Sequence, residues 1–217
     1  MQQQSAGTPI VFVIDDDPDV RAGLSDLLQS VGLRSKAFRS AAEFLEGKKP
    51  EEVSCLILDI RLPGLSGLDF QSELEKAKIA IPIIFITGHG DIPMTVKAMK
   101  AGAIEFLTKP VREQDLLDSI RVALDRDRAR READRRRSEL YAKFAVLSDR
   151  EREIMAFVVS GLMNKQVAAE VGLSEVTVKV HRHNVMKKLG ARSLAELVRM
   201  ADGLELAVRN TTPNRGR

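Results

Sequence analysis

Five side chains in the first half of the chain are of the types that phosphate chemistry needs: Asp15, Asp16, Asp59, Thr87 and Lys109. Each ends or closely follows an apolar run. IVFVIDDD leads into Asp15, Asp16 and Asp17, and CLILDIRLPGLSG carries Asp59 ahead of a Pro/Gly-rich loop. PIIFIT ends in Thr87, and AIEFLTKP ends in Lys109 and Pro110. Short apolar runs bounded by turn signals read as strands buried on both faces. In an open parallel sheet, such strands deliver their last residues to one edge, where ligands bind. Carboxylates gathered there repel one another and shift each other's pKa. A hard divalent cation relieves the repulsion, and Mg2+ takes a few carboxylates together with water and phosphate. Phosphoryl transfer also needs a nucleophile and donors to the equatorial oxygens. Asp59 can attack as a carboxylate and give an aspartyl phosphate. Asp16 and Asp59 would hold Mg2+, with Asp15 acting directly or through water and the Arg61 backbone carbonyl completing the set. Lys109 offers a compact cation to a phosphoryl oxygen, and Thr87 a hydroxyl. His89, in GHGD, reads as a turn residue rather than a base, and Asp17 as a helix-entry residue rather than a ligand.

The elements that must position these residues alternate at short intervals, which predicts a parallel α/β sheet. Strands are predicted at 10–14, 33–38, 53–58, in PIIFIT and in AIEFLTKP. Between them, helical spacing places Val20, Leu24, Leu27, Leu28 and Val31 on one face, then Ala41, Phe44 and Leu45 after Ser40. Further helices are predicted over 66–76 and 94–101, the second stopping at Gly102, and a last one begins near Glu113. Five strands and five helices in about 120 residues predict a flavodoxin-like domain with strand order 2-1-3-4-5.

The 217-residue chain is 44% apolar, enough for packed cores and against general disorder. Its net charge of +3 hides an asymmetry. Residues 1–123 hold 14 Lys+Arg against 18 Asp+Glu, and residues 124–217 hold 20 against 13. An acidic front and a basic rear predict two modules, the second suited to a polyanion. Between them, DRDRARREADRRRSE reads as a solvated helical linker with offsetting charge pairs. Its apolar heptad fades after Leu124 and resumes only at Leu140, against a coiled coil. The predicted domains are 8–125, a linker at 126–144, and 145–208. Cys55, the only cysteine, lies in a predicted buried strand and allows no internal disulfide. MQQQSAGTP lacks the regions of a signal peptide, and no apolar segment approaches spanning length, so a cytoplasmic protein with no membrane association is expected.

In the rear module, Ser148 and Glu151 form a capping-box signature before Ile154, Phe157 and Val158. Helices are predicted over 165–171, 175–189 and 194–201, broken by Gly161, Gly172-Leu173-Ser174 and Gly190. A helix, a tight Gly-containing turn and a longer helix outline a helix-turn-helix. On the long helix, Val178, Val185 and Leu189 share one face, while Lys179, Val180, His183 and Lys187 lie roughly opposite. The first set suits a small core; the second suits a major groove, or simply solvent. Asn164, Lys165, Ser174, Thr177, Lys188 and Arg192 are candidates to position phosphates.

Through VIDDDPDVR, LDIRLPGLSG, FITGHGD and the strand-end TKP, residues 8 to about 125 resemble the receiver domain of bacterial two-component response regulators. That resemblance implies phosphoryl transfer from a cognate sensor histidine kinase to Asp59, with Mg2+ on Asp15, Asp16 and Asp59. It implies Thr87 as the hydroxyl switch, Lys109 as the family's lysine and Phe106 as the aromatic switch; read alone, Phe106 is equally a core residue. It also implies a cis Lys109-Pro110 bond, where sequence alone favours trans. Residues 145–203 are similar to the LuxR-type DNA-binding domain, through NKQVA, the turn GLS and TVKVHRHNVMKKL. Together the modules resemble FixJ/NarL-type response regulators, and ITGHGDIPMTVKAMKAGA leans towards FixJ-like members. The implied output is a homodimer formed on phosphorylation, binding double-stranded promoter DNA and working with RNA polymerase, with activation expected. The family's base-reading positions map to Lys179, Val180 and His183.

Two other classes remain open to the sequence. A Mg2+-dependent aspartyl-phosphate phosphatase also uses strand-end aspartates, but normally carries a second Asp two residues on, where Arg61 stands here. A ligand-sensing LuxR-type regulator would need an apolar pocket, often aromatic, and the front half has neither Trp nor Tyr.

Overall fold

Apolar runs with nowhere to expose a face must be covered on both sides, and helices cover them here. The computed structural model describes residues 8–47, 50–88 and 92–204. Strands β1 (Ile10–Ile14), β2 (Arg34–Phe38), β3 (Ser54–Asp59), β4 (Ile83–Thr87) and β5 (Glu105–Thr108) form one sheet. Its order is β2-β1-β3-β4-β5, and its pairings are parallel. Every residue of β1, β3 and β4 is buried. Alternate side chains feed opposite faces, as strand geometry requires. Phe12, Ile14, Leu56, Leu58 and Phe85 enter one cluster, while Val11, Val13, Ile57, Ile84 and Ile86 enter the other. Helices α1 (Pro18–Ser30), α2 (Ala41–Glu46), α3 (Gly67–Lys76), α4 (Ile92–Lys100) and α5 (Glu113–Ala145) complete the βα alternation. The flavodoxin-like architecture expected from the sequence is the one observed.

Register aligns the strand ends. Ile14 lies opposite Leu58, Asp59 opposite Ile86, and Thr87 opposite Thr108. Asp59 is itself the last residue of β3, one residue beyond the predicted end, because its pairing with Ile86 carries the ladder through it. The helix expected over 94–101 begins earlier, at Ile92. The bond between Lys109 and Pro110 is cis.

Helix α5 is one 33-residue element, and the division into two compact units falls within it, between Arg131 and Glu132. Packing of the first unit therefore continues into the charged run. Asp127 is fully buried and accepts from Ser54 N–H at 2.9 Å, Arg131 Nε at 2.6 Å and Arg130 Nη2 at 2.6 Å. Arg131 also donates to the carbonyls of Glu51 and Pro50, at 2.8 and 3.0 Å. Further along, Arg135 and Arg136 pair with Glu132 in the i,i+3 and i,i+4 pattern expected of a solvated helix.

In the second unit, α6 (Asp149–Val159), α7 (Asn164–Val171), α8 (Glu175–Leu189) and α9 (Leu194–Gly203) enclose Ile154, Val158, Val167, Val178, Val185 and Leu197. The capping box is formed: Ser148 Oγ accepts from Glu151 N–H, and Glu151 Oε2 from Ser148 N–H at 2.8 Å. Gly172 ends α7 in the left-handed region (φ 67°), a conformation that costs a residue with Cβ about 1–2 kcal/mol. Two residues later, Ser174 caps α8 by accepting from Thr177 N–H at 3.1 Å.

Candidate functional sites

The ends of β1, β3 and β4 and the residue after β5 converge at the carboxyl edge of the sheet. Asp15 is fully buried just past β1, and Asp59 is 7% exposed at the end of β3. Lys109 Nζ donates to both, at 2.7 Å to Asp15 Oδ2 and 2.7 Å to Asp59 Oδ2. Their remaining oxygens are also engaged: Asp15 Oδ1 accepts from Asp17 N–H at 3.0 Å, and Asp59 Oδ1 from Arg61 N–H at 2.9 Å. Arg21 Nη1 holds the Asp15 carbonyl at 2.7 Å, which fixes the chain as it leaves β1. Asp16 is exposed beside them, and Asp15, Asp16 and Asp59 each offer an oxygen within 4.8 Å of the others.

The electrostatics match that crowding. Burial pushes the Asp15 carboxyl up; hydrogen bonds and charge from Lys109, with the Asp17 amide, oppose it, and the Asp59 charge adds to the rise. Burial pulls the Lys109 ammonium down, but bonds and charges from Asp15 and Asp59 outweigh it, leaving a net rise. One shared ammonium for three carboxylates leaves negative charge and clustered oxygens, a donor set that fits a hard divalent cation.

Thr87, at the end of β4, is fully buried, and its carbonyl accepts from Lys109 N–H at 2.8 Å. Phe106 on β5 is half-buried, pairs with Phe85 and packs against the core shared by Phe12 and Phe70. The Asp59 loop is made tight by Gly67, where an added Cβ would lie 2.6 Å from the Asp59 carbonyl oxygen. Asp17 is the α1 N-cap, accepting from Asp19 and Val20 N–H, in keeping with helix entry. His89 lies outside the described residues. Cys55 is fully buried, its thiol pushed up to about 12 by burial and then by the Asp127 charge, so it is not a ready nucleophile.

On α8, Val178, Val185 and Leu189 face the core, while Lys179, Val180, His183 and Lys187 are exposed. Val180 is 54% exposed and Val176, one turn earlier, 71%. Val176 was not singled out from the sequence, although i,i+4 spacing joins it to Val180. Lys179 reaches Glu175 at 3.8 Å, a loose surface pair. Lys165 and Arg192 are also exposed.

Other expected phosphate contacts are engaged within the fold. Asn164 Oδ1 accepts from Arg182 at 3.0 Å, tying α7 to α8, and the hydroxyls of Ser174 and Thr177 lie 2.8 Å apart. Lys188 departs furthest from an outward role. Its ammonium lies 2.7 Å from Glu151, whose side chain is 5% exposed, and 3.4 Å from the Val146 carbonyl. Burial raises the Glu151 carboxyl, but Lys188 and the Ser148 amide outweigh it and hold it below the usual range. The sequence signal for this bond is only Glu151's place in the capping box, which hides its second partner.

This edge and helix pair define a receiver domain joined to a helix-turn-helix. The family model for the response regulator receiver domain matches residues 11–121, and that for bacterial regulatory proteins of the luxR family matches residues 145–201. The chain belongs to the FixJ/NarL-type response regulators, DNA-binding transcription regulators rather than enzymes in the ordinary sense. It is 57% identical to nodulation protein W of Bradyrhizobium diazoefficiens over 202 residues, covering 93% of this chain and 89% of that protein. It is 44% identical to the transcriptional regulatory protein FixJ of Azorhizobium caulinodans, covering 88% and 90%. Among solved structures, the response regulator StyR aligns with a TM-score of 0.81 at 52% identity, covering 90% of this chain and 99% of that one. A receiver implies a histidine kinase as partner, and the LuxR-type domain implies DNA. No helix among the described residues is long and apolar enough to cross a membrane.

Proposed function

We propose that Asp59 accepts a phosphoryl group from a sensor histidine kinase and that this controls promoter binding by α8. The observation that carries this reading is Lys109 Nζ bridging Asp15 and Asp59, at 2.7 Å each, beside a third carboxylate. An Asp59 carboxylate oxygen attacks phosphorus, the bond from phosphorus to the kinase imidazole nitrogen breaks, and the imidazole keeps that electron pair. Mg2+, held by Asp15, Asp16, Asp59 and the Arg61 carbonyl, would neutralise charge on the phosphoryl oxygens. Lys109 then turns from the carboxylates to a phosphoryl oxygen, and the Thr87 hydroxyl donates to another. Phe106 repacks as Thr87 moves, which alters the face formed by α4, β5 and α5 and favours a homodimer. Slow hydrolysis of the acyl phosphate on the protein itself resets the switch.

In the DNA-bound state, Lys179, Val180 and His183 read base edges, while Lys187, Lys165 and Arg192 meet phosphates. Asn164, Ser174 and Thr177 place further donors at the helix entry. Lys188 is assigned to the fold through Glu151 rather than to DNA. The protein acts in the cytoplasm, where the dimer sets two recognition helices on neighbouring half-sites and engages RNA polymerase to activate transcription. Residues 8–125 serve as receiver, 126–144 as the charged connection and 145–208 as the DNA-binding domain, of which 205–208 lie outside the described residues.

The test is phosphotransfer from candidate kinases, or from acetyl phosphate with Mg2+, read by intact mass and followed by footprinting. Wild type should gain one phosphoryl group and bind promoter DNA more tightly. An unmoved mass, or a gain that persists in Asp59→Asn, overturns the assignment. Turnover of a small phosphate ester would favour the phosphatase class instead.

A further inference from the structure

The outward stripe of α8 begins apolar and ends cationic. At about 100° per residue, Val176, Val180, His183 and Lys187 fall within about 60° of one another. They lie on the side away from the buried Val178, Val185 and Leu189. All four are exposed, Val176 at 71% and Val180 at 54%. Glu175, the acidic residue of the first turn, stands off the stripe and reaches Lys179 at 3.8 Å. Burial does not account for a valine at 176, and neither does helix propensity, since a β-branched side chain is a weaker helix former than alanine. Single exposed apolar residues are common. What sets Val176 apart is a second one, Val180, one turn on, at the end of the helix that a helix-turn-helix turns towards base edges.

Duplex DNA suits both parts of the stripe. The cations at its far end match a polyanion. The apolar start matches the thymine 5-methyl, the apolar group that base edges present in the major groove. Val176 and Val180 are about 6 Å apart along the helix axis, against about 3.4 Å between successive base pairs. We propose that Val176 is a specificity-determining residue, forming with Val180 an apolar patch that takes the 5-methyl groups of two thymines about two base pairs apart, on either strand. The inference rests on α8 entering the major groove; it adds to that reading the bases the half-site must hold and the residue that demands one of them.

The experiment uses the full chain with acetyl phosphate and Mg2+. Duplexes are selected from a random pool, and each thymine of the selected half-site is then replaced by deoxyuridine, which removes only the methyl. Two replacements about two base pairs apart should each weaken wild-type binding about fourfold, the equivalent of one methyl returned to water. In Val176→Ala one of those penalties should vanish while the other stays, and in Val180→Ala the reverse. Each comparison is made within one protein, so a change in folded fraction cancels. Wild type with no thymine penalty, or Val176→Ala that keeps both, overturns the inference, and Val176 then has no part in reading bases. The wider reading of α8 is separated by two further arms. It stands if Val180→Ala alters the selected sequence. It falls, and this inference with it, if no duplex is selected or if neither Val180→Ala nor Lys187→Ala changes binding.

Discussion

The receiver crevice and the exposed face of α8 use similar side chains in opposite ways. In the crevice, Asp15, Asp59 and Lys109 satisfy one another, with the carboxylates almost wholly removed from water. On α8, Lys179, His183 and Lys187 project into solvent, and Lys179 makes only a loose contact with Glu175 at 3.8 Å. Covalent chemistry on a carboxylate needs groups that are converged and held before the substrate arrives. Binding a polyanion needs cations that stay hydrated until counterions are released. Burial therefore separates the two sites more sharply than residue type does, and Lys188 shows it: a lysine on the same helix, committed to a buried carboxylate, belongs with the fold.

The largest effect that sharpens this contrast is at Asp59. Asp59→Asn should abolish phosphoryl incorporation altogether, measured by intact mass after acetyl phosphate and Mg2+, while leaving unphosphorylated DNA affinity unchanged. Next comes the buried anchor of α5. Asp127→Ala leaves Ser54 N–H and two arginines without their carboxylate, and should destabilise the first unit by on the order of 2–3 kcal/mol, read by urea unfolding. An unchanged midpoint would return Asp127 to the class of solvated linker charges.

A pair of neighbouring lysines offers the sharpest test of a free side chain against one committed to a buried carboxylate. Lys187→Ala should lower the slope of log affinity against log salt by about 0.9 and leave stability unmoved. Lys188→Ala should do the reverse, costing about 1–2 kcal/mol of unfolding free energy with no change in salt slope, the figure reduced because Lys188 is part-exposed. Exchanged outcomes would break the comparison. The smallest effect is in pH dependence. The Glu151 carboxyl is held below its ordinary value in the folded state, so its contribution is fully present above about pH 4.3 and is lost as pH falls through the folded value. Glu151→Gln should flatten that acid limb in a thermal-unfolding series on the full chain.

Much of this is legible in the sequence. The runs ending in Asp15, Asp59 and Thr87 announced strands, and the parallel rule sent their ends to one edge. Ser148 announced a cap and Gly172-Leu173-Ser174 a turn, because both signals depend on residues only a few positions apart; that Gly172 closes α7 and Ser174 caps α8 came from the structure. Asp127 was not legible. In DRDRARREADRRRSE it looks like every other charge, and its partner Ser54 N–H lies 73 positions away. Val176 and the second bond of Glu151 escaped for the same reason, since exposure and long-range partners are set by packing.

Sequence alone determined the alternation of strands and helices, the two modules and the residue types at the sheet edge, because periodicity, turn chemistry and charge segregation are local. Tertiary structure alone decided that one lysine serves two aspartates, that Asp127 ties α5 to the start of the strand ending in Asp59, and that Lys188 faces Glu151. Those outcomes depend on which distant groups lose water together, and desolvation is a property of the packed chain rather than of any segment.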